Sequence, residues 1–348
     1  MRDNKSVYIL ILTWNNAIDT IECIDSVFKN NYSNYRIVLI NNGSTDNSIE
    51  QINEWLKNHN KKSFYYSREI AELGGESDIE KKINHLSSSD KIIIINNNEN
   101  FGFAAGNNVG IKYAIKSKAN YVCLLNNDTT VNKDFLQKIV YFLENNKYYS
   151  AATGQIKYYD NHSKIWNCGG KLVWYGGRKY YYTPTKKQTQ RGYIDISFVT
   201  GCLLVLKTDV FKEIGILSEK YFFGEEDFDF ALRMKDNNKK MVCVVNSVIF
   251  HKVGRSINTV STTNKGRIFI YYLNRYIDLK QYWSKAVWNI WRFTYLLYIF
   301  PLLKIKAKFS ISDLIIFAHN LINYSNKLNS VDKLFFRKAI YKYESLKK

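Results

Sequence analysis

Proline is nearly absent from this chain, with 2 in 348 residues, and glycine numbers only 17. That excludes collagen-like and linker-dominated chains. Cysteine is sparse and scattered: Cys23, Cys123, Cys168, Cys202 and Cys243 never approach within 34 positions of one another, which rules out CxxC redox and zinc-finger signatures. Cys123, Cys202 and Cys243 sit inside apolar runs and read as small buried hydrophobes. An odd number of dispersed thiols fits a reducing compartment. A glycine-rich GxGxxG turn is missing after the first apolar run, where Thr13-Trp14-Asn15-Asn16 stands instead, and no Walker A sequence occurs. The dinucleotide-binding and P-loop readings therefore fail. Val7–Leu12 is too short for a signal peptide, so export is not expected. Trp288–Leu303 is apolar but interrupted by Asn289, Arg292 and Pro301, too broken for a membrane span.

Acidic residues are outnumbered 31 to 50, giving a net charge of +19. The excess is local. Residues 252–348 hold 18 Lys or Arg against 4 Asp or Glu, a net +14, which leaves +5 for the first 251 residues. A basic third carrying Trp283, Trp288, Trp291 and many tyrosines predicts an anionic partner surface. Rings interleaved with lysines are what an interfacial helix needs, so the expected location is the cytoplasm, peripheral on the inner face of the cell membrane. A helical cap with packed aromatics at a homodimer interface is the plainer alternative. Nucleic-acid binding is not expected, because the charge avoids the N-terminal two thirds and no RNA- or DNA-binding motif appears.

The length sets a prior of about two domains. Val7–Leu12 and Tyr35–Ile40 are unbroken apolar runs, as expected for strands buried on both faces of a parallel sheet. Asp19–Asn30 has helical spacing between them, and Asp46 reads as the N-cap of a helix reaching Leu56. This β-α-β-α order opens a doubly wound α/β sheet. Residues 57–91 read as a polar surface insertion. Ile92–Ile95 and Tyr121–Leu125 follow as strands, with a helix opened by Phe101–Asn108 between them. Glycine pairs and tyrosines across 151–190 predict a twisted hairpin. Phe198–Leu206 and Met241–Phe250 read as further strands around a helix from Asp227. Beyond residue 254 the pattern is wholly helical.

Polar residues end three of the strands, at Thr13/Asn15, Asn41/Asn42 and Asn126/Asp128. In an open parallel sheet such ends line one crevice, where ligands bind. Asp128 closes one strand, His251 closes another, and Glu225-Glu226-Asp227-Phe228-Asp229 lies between them in sequence. A carboxylate, an imidazole and an acidic cluster suit metal-assisted group transfer. Plainer roles exist for each: Asn42-Gly43 as a turn, Asp227 as a helix N-cap, His251 as a hydrogen-bonded strand end.

Thr13-Trp14-Asn15, Asn42-Gly43-Ser44-Thr45-Asp46, Asn100–Asn108, Leu124–Asp128, Thr200-Gly201-Cys202, Glu226-Asp227-Phe228-Asp229 and His251 occur in an order and spacing that resembles the family 2 inverting glycosyltransferases of the GT-A fold. The branch most resembled contains rhamnosyl- and galactofuranosyltransferases. The resemblance covers Val7 to about residue 254. It implies a GT-A catalytic domain over 1–254, with a mostly parallel sheet and flanking helices, followed by a basic, aromatic helical region over 255–348. The implied activity moves a sugar from a dTDP- or UDP-linked donor to a hydroxyl of a glycan or lipid-linked glycan, in cell-surface polysaccharide synthesis. By the same resemblance Thr13, Trp14, Asn15, Asn41, Asn42, Asn107, Asn108, Asn126 and Asn127 would contact the donor. Asp128, with His251, would hold Mn²⁺ or Mg²⁺, and Asn126 replaces the first acid of the family's DxD. Asp227 matches the catalytic base. Trp174, Gly201, Glu226 and Asp229 fall on the acceptor side. Asn stands at 41 where many relatives carry Asp, and an amide both donates to and accepts from a pyrimidine edge. A catalytically idle scaffold of the same fold is the competing reading of the two asparagine replacements.

Overall fold

A computed structural model describes residues 5–253, 264–343 and 346; the boundary placed at residue 254 lies outside them. β1 (Val7–Thr13), α1 (Ala17–Phe28), β2 (Tyr35–Asn42) and α2 (Ser48–Asn58) open the chain in the expected alternation. Asp46 is not the cap of α2. Asn47 occupies that position, and Asp46 instead accepts the Ser48 N–H at 3.0 Å, an Asx-type turn one residue earlier. β3 (Lys62–Ser67), α3 (Arg68–Glu72) and α4 (Ser77–Asn84) come next. β4 (Lys91–Asn97), α5 (Phe103–Lys116) and β5 (Tyr121–Asn126) complete this half.

β3, β4, β2, β1 and β5 lie side by side in parallel. Ile9, Leu10, Val38, Leu39, Ile93 and Ile94 are fully buried, because helices cover both faces and leave no polar side for the strands. Residues 57–91 are therefore not a surface insertion. They supply the edge strand of the sheet and bury Tyr66, Ala71 and Ile83 in its core. An edge strand reading Lys-Ser-Phe-Tyr-Tyr-Ser is wet on one side and has no continuous apolar run to announce it.

The second half adds β6 (Thr129–Val131), α6 (Phe135–Asn145), β7 (Tyr149–Tyr158), β8 (Ile165–Asn167), β9 (Gly170–Val173), β10 (Gly177–Tyr180) and α7 (Lys186–Arg191). β11 (Tyr193–Ile196), β12 (Leu203–Lys207), α8 (Thr208–Ile214), α9 (Glu226–Asp236) and β13 (Lys240–His251) follow. β12 pairs antiparallel with β5, and β7, β13 and β11 extend the sheet beyond it. The hairpin expected over 151–190 is confined to β9 and β10, whereas Ala151–Tyr158 lie in β7, parallel to β13.

α10 (Asn264–Tyr282), α11 (Lys285–Lys306), α12 (Ile311–Lys327) and α13 (Lys333–Tyr341) end the described chain. They share one hydrophobic core with the sheet: Phe269, Leu273, Tyr276 and Phe317 cluster with Phe198, Leu204 and Phe228. Trp288 and Trp291, expected at a lipid headgroup layer, are instead buried. Their indole N–H groups donate to the carbonyls of Tyr276 at 2.8 Å and Tyr175 at 2.9 Å. Composition revealed the rings but not which side of the helix meets protein. No described helix is long and apolar enough to cross a membrane.

α10 matters most to the loop before α9. Gly224 and Glu225 have φ of 83° and 77°, and for Glu225 that left-handed geometry is strained. Arg275 holds it there. Its Nε and Nη2 both engage the Glu225 carboxylate, the latter at 3.3 Å, and its Nη1 donates to the Gly176 carbonyl at 2.9 Å. The guanidinium carbon lies 3.4 Å from the Phe228 ring centroid. Both charged side chains are 1% exposed. Asn274 donates to the Phe223 carbonyl at 3.1 Å, and the Tyr221 hydroxyl donates to Asp278 at 3.1 Å. Removing one partner of a buried, hydrogen-bonded ion pair leaves an uncompensated charge. Arg275→Ala should cost about 3–5 kcal/mol in urea unfolding; a loss below about 1 kcal/mol, the scale of an exposed pair, contradicts this role.

Candidate active site

Register aligns the strand ends. Thr13 pairs with Asn41, Asn41 with Asn96, Asn42 with Asn97, and Leu12 with Asn126. A row of amides thus runs along the carboxyl edge of the sheet, the side on which open α/β sheets take ligands. Asn15, at φ 50°, clasps the first two loops together. Its N–H donates to Ser44 Oγ at 3.1 Å, its Nδ2 to Thr45 Oγ1 at 3.1 Å, and its Oδ1 accepts the Thr45 N–H at 2.7 Å. Trp14 is exposed beside it. Asn41 donates to Asn96 Oδ1 at 3.1 Å and accepts the Ser44 N–H at 3.0 Å.

Other asparagines of the expected donor set turn inward. Asn42 donates to Asn100 Oδ1 and to the Gly102 carbonyl, both at 3.1 Å. It also accepts from Asn97 Nδ2 at 3.1 Å and from the Phe101 N–H at 3.3 Å, so its amide is saturated. Asn107 donates to the Phe103 carbonyl one turn back at 2.9 Å. Asn108 is fully buried against the Leu217 backbone and Glu219. Thr13 shares a 2.8 Å hydrogen bond with Thr20, which also receives Asn127 Nδ2 at 2.9 Å. Asn42, Asn107, Asn108, Thr13 and Asn127 therefore build the crevice wall, leaving Trp14, Asn15, Asn41 and half-buried Asn126 nearer its surface. An amide at a strand end serves a loop or a ligand equally well; its neighbours decide which.

Gly102, at φ 87°, lets the turn before α5 sit on the acidic loop. A Cβ there would lie 2.1 Å from the Phe222 carbonyl oxygen, so only glycine fits.

The end of β13 pairs antiparallel with β6, His251 opposite Thr129, and the Lys252 N–H donates to the Asp128 carbonyl at 2.9 Å. That brings His251 Nε2 within 3.2 Å of Asp128 Oδ1, with both side chains under a tenth exposed. Burial disfavours the imidazolium, but the Cys202 sulfur and the Asp128 carboxylate outweigh it and raise the His251 pKa to about 10. The same two side chains could hold a cation in place of that proton, because a ligating imidazole must be neutral. Among the described residues no three His, Cys, Asp or Glu side chains gather at one point. Asp128 and His251 are the side chains that would hold a cation here, and a carboxylate with an imidazole suits Mn²⁺ or Mg²⁺. Lys252 carried no signal in the sequence. Its ammonium lies 2.6 Å from Asp19 Oδ1 and also pairs with Glu22, bracing the end of β13 against α1 across a separation of 233 residues.

α9 begins at Glu226, and Glu225 is its capping residue. Asp227 is therefore not the N-cap. It sits in the first turn, with Oδ1 3.0 Å from Arg178 Nη1 of β10 and 18% of its side chain exposed. Arg178, also without a signal in the sequence, lies 4.8 Å from the Phe198 ring centroid. Gly201, Glu226, Asp227 and Phe103 line one narrow cleft of about 10 Å³, whose remaining walls are apolar residues such as Leu124, Val199, Leu217 and Met241. Burial, reinforced by the Asp227 carboxylate, pushes the Glu226 pKa up to about 8. Asp229, expected to face the acceptor, is buried instead. One oxygen accepts from Arg233 Nε and the other from the Tyr282 hydroxyl, both at 2.8 Å, which ties α9 to α10. Trp174 stands 91% exposed at the hairpin tip.

The glycosyl transferase family 2 model matches residues 8–77 and 74–215. A low-salt glycan biosynthesis hexosyltransferase of Haloferax volcanii is 21% identical over 211 residues, covering 58% of this chain and 64% of that protein. An uncharacterized glycosyltransferase of Methanocaldococcus jannaschii is 20% identical over 276 residues, covering 77% and 88%. Among solved structures, GalNAc-T7 with UDP, GalNAc and Mn²⁺ superposes with a TM-score of 0.57 at 12% identity, over 99% of this chain and 56% of that one. A mannosyltransferase from Pyrobaculum calidifontis with GDP-Man and Mn²⁺ gives 0.55 at 11%, over 97% and 86%. The chain thus spans less than two thirds of the Haloferax protein and of GalNAc-T7. The fold is GT-A.

Asp128→Ala should abolish Mn²⁺-dependent binding of a nucleoside diphosphate in isothermal titration, and His251→Ala should raise the Mn²⁺ concentration required. An unchanged requirement in the second variant would make His251 a structural strand end. From about pH 4.5 to about 8 the folded state keeps a proton on Glu226 that the unfolded chain has released. Its contribution to stability therefore falls as pH rises through that window. Glu226→Gln should flatten this part of the decline in urea titrations, and an unaltered pH profile would refute the raised pKa.

Proposed function

The chain belongs to glycosyl transferase family 2, and from that premise we propose an inverting transfer of a sugar from a nucleoside-diphosphate donor to a hydroxyl of a glycan or lipid-linked glycan. The observation that carries this reading is the placement of Asp227: in the first turn of α9, gripped by Arg178 and still partly exposed. The paired Asp128 and His251 support a donor site at the carboxyl edge of the sheet. Complexes of the two structural neighbours with Mn²⁺ and UDP or GDP-Man support a nucleotide sugar and a divalent cation. The Haloferax relative, a hexosyltransferase, supports transfer of a hexose, and the motif resemblance extends this to a deoxyhexose. Within that class we assign a dTDP- or UDP-linked donor, with rhamnosyl or galactofuranosyl transfer the branch its motifs resemble, in polysaccharide biosynthesis of the cell envelope.

Asp128 and His251 would hold the cation, which when bound neutralises charge on the departing diphosphate. Asp227 takes the proton of the acceptor hydroxyl as that oxygen attacks the anomeric carbon opposite the leaving group. The new carbon–oxygen bond forms as the bond to the diphosphate breaks, and the proton remains on Asp227. Arg178 fixes the orientation of that carboxylate. Glu226, protonated near neutrality, serves as a hydrogen-bond donor in the cleft and not as a second charge. One base suffices here, whereas glycoside hydrolysis needs two flanking carboxylates.

A thermal-shift panel of nucleotides and nucleotide sugars, with and without Mn²⁺, tests the donor assignment; a ligand at ~100 times its dissociation constant adds about 2.7 kcal/mol. Asp227→Asn should then lower transfer by roughly 100- to 10,000-fold while donor affinity holds, because the base acts on the acceptor. Near-normal turnover in this variant would remove Asp227 from the role.

A further inference from the structure

α11 is apolar on both sides. Trp288, Trp291, Leu296, Ile299 and Leu303 face the core. On the opposite side Ile290, Phe293, Leu297, Tyr298 and Ile305 are 67%, 50%, 72%, 56% and 76% exposed. Their spacing places them on one stripe along the 22-residue helix. A helix apolar all round is normally covered on every side, and single exposed apolar residues do not form such a stripe. At its edge stands the β9–β10 hairpin tip, with the Tyr175 ring 6.1 Å from that of Tyr298 and Trp174 fully in solvent.

Charge identifies the occupant. Lys285 opens the helix, Lys304 and Lys306 close it and Lys308 follows it, all exposed, and no Asp or Glu occurs between Asp278 and Asp313. The geometry points to this outer face of α11 as the docking surface for an anionic phospholipid membrane. The apolar stripe enters the acyl boundary, and the lysines at both ends meet headgroup phosphates. A second copy presenting the same face would set lysines against lysines with no carboxylate between them. The hairpin links this surface to the cleft, because β10 also carries Arg178, 3.0 Å from Asp227. An acceptor anchored in the bilayer would arrive beside the base. That last step rests on the transferase reading; the docking itself does not.

Full-length protein floated with phosphatidylcholine vesicles, with and without phosphatidylglycerol, tests the surface, while thermal melting by circular dichroism reports an intact fold. Flotation is expected with the anionic vesicles. The double variant Ile290→Ser, Leu297→Ser should weaken it on the order of a hundredfold, roughly tenfold per side chain. Lys304→Gln, Lys306→Gln and Lys308→Gln together should also weaken it on the order of a hundredfold at low salt. Absent flotation of the wild type, or equal flotation of a well-folded serine variant, overturns the proposal. A dimer in light scattering that Leu297→Ser dissociates, with no vesicle binding, assigns the face to a second copy. Vesicle binding without transfer to any acceptor leaves the docking intact and defeats the transferase reading.

Discussion

The buried pair between Arg275 and Glu225 is the contact on which the loop before α9, and with it the placement of Glu226 and Asp227, depends. A carboxylate at 1% exposure tolerates its charge only with a partner, and Arg275 supplies it while stacking on Phe228 and binding the hairpin at Gly176. Three segments far apart in sequence meet at one guanidinium. The strained Gly224–Glu225 turn directs Glu226 and Asp227 into the cleft, and the hairpin returns Arg178 to Asp227. Strain of this kind persists only where the surroundings over-determine it. The C-terminal helices are accordingly part of the scaffold that places Glu226 and Asp227.

Asparagines do comparable work along the sheet edge. Asn15, Asn41 and Asn42 each exchange hydrogen bonds with loops whose backbone groups would otherwise lack partners. Their amides donate and accept at once, which lets one residue join two loops without adding charge beside a diphosphate. The formal charge at that edge is left to Asp128, His251 and the Lys252 cluster. The carboxyl edge of the sheet is thus a neutral frame around one concentrated ionic point, whereas the start of α9 is built on paired charges.

The large positive charge takes on a different meaning once placed. Much of the aromatic content of the C-terminal third packs inward, as at Trp288 and Trp291, and Arg275 and Arg292 are buried too. What reaches the surface on α11 is an apolar stripe of aliphatic and aromatic side chains with lysines at its ends.

The sequence by itself determined the inner parallel strands β1, β2, β4 and β5 and their helices, but not the edge strand β3 or the pairing of β7 with β13. Runs such as Val7–Leu12 and Ile92–Ile95 can only be doubly covered strands, and polar residues ending such strands can only gather at one edge. Asp128, Asp227 and His251 drew attention because their order and spacing resemble a known family's, and the fold brings His251 to Asp128. Orientation was not legible. Whether Asn108 met a ligand or Glu219, whether Asp229 faced an acceptor or Tyr282, and whether Trp291 met lipid or the Tyr175 carbonyl were settled by neighbours more than 50 residues away. Arg178, Lys252 and Arg275 gave no local sign, since an ion pair has no periodicity and no preferred spacing in the chain. Periodicity and turn chemistry act over a few residues and can be read one segment at a time, whereas the partner of a buried charge exists only after the chain has closed upon itself.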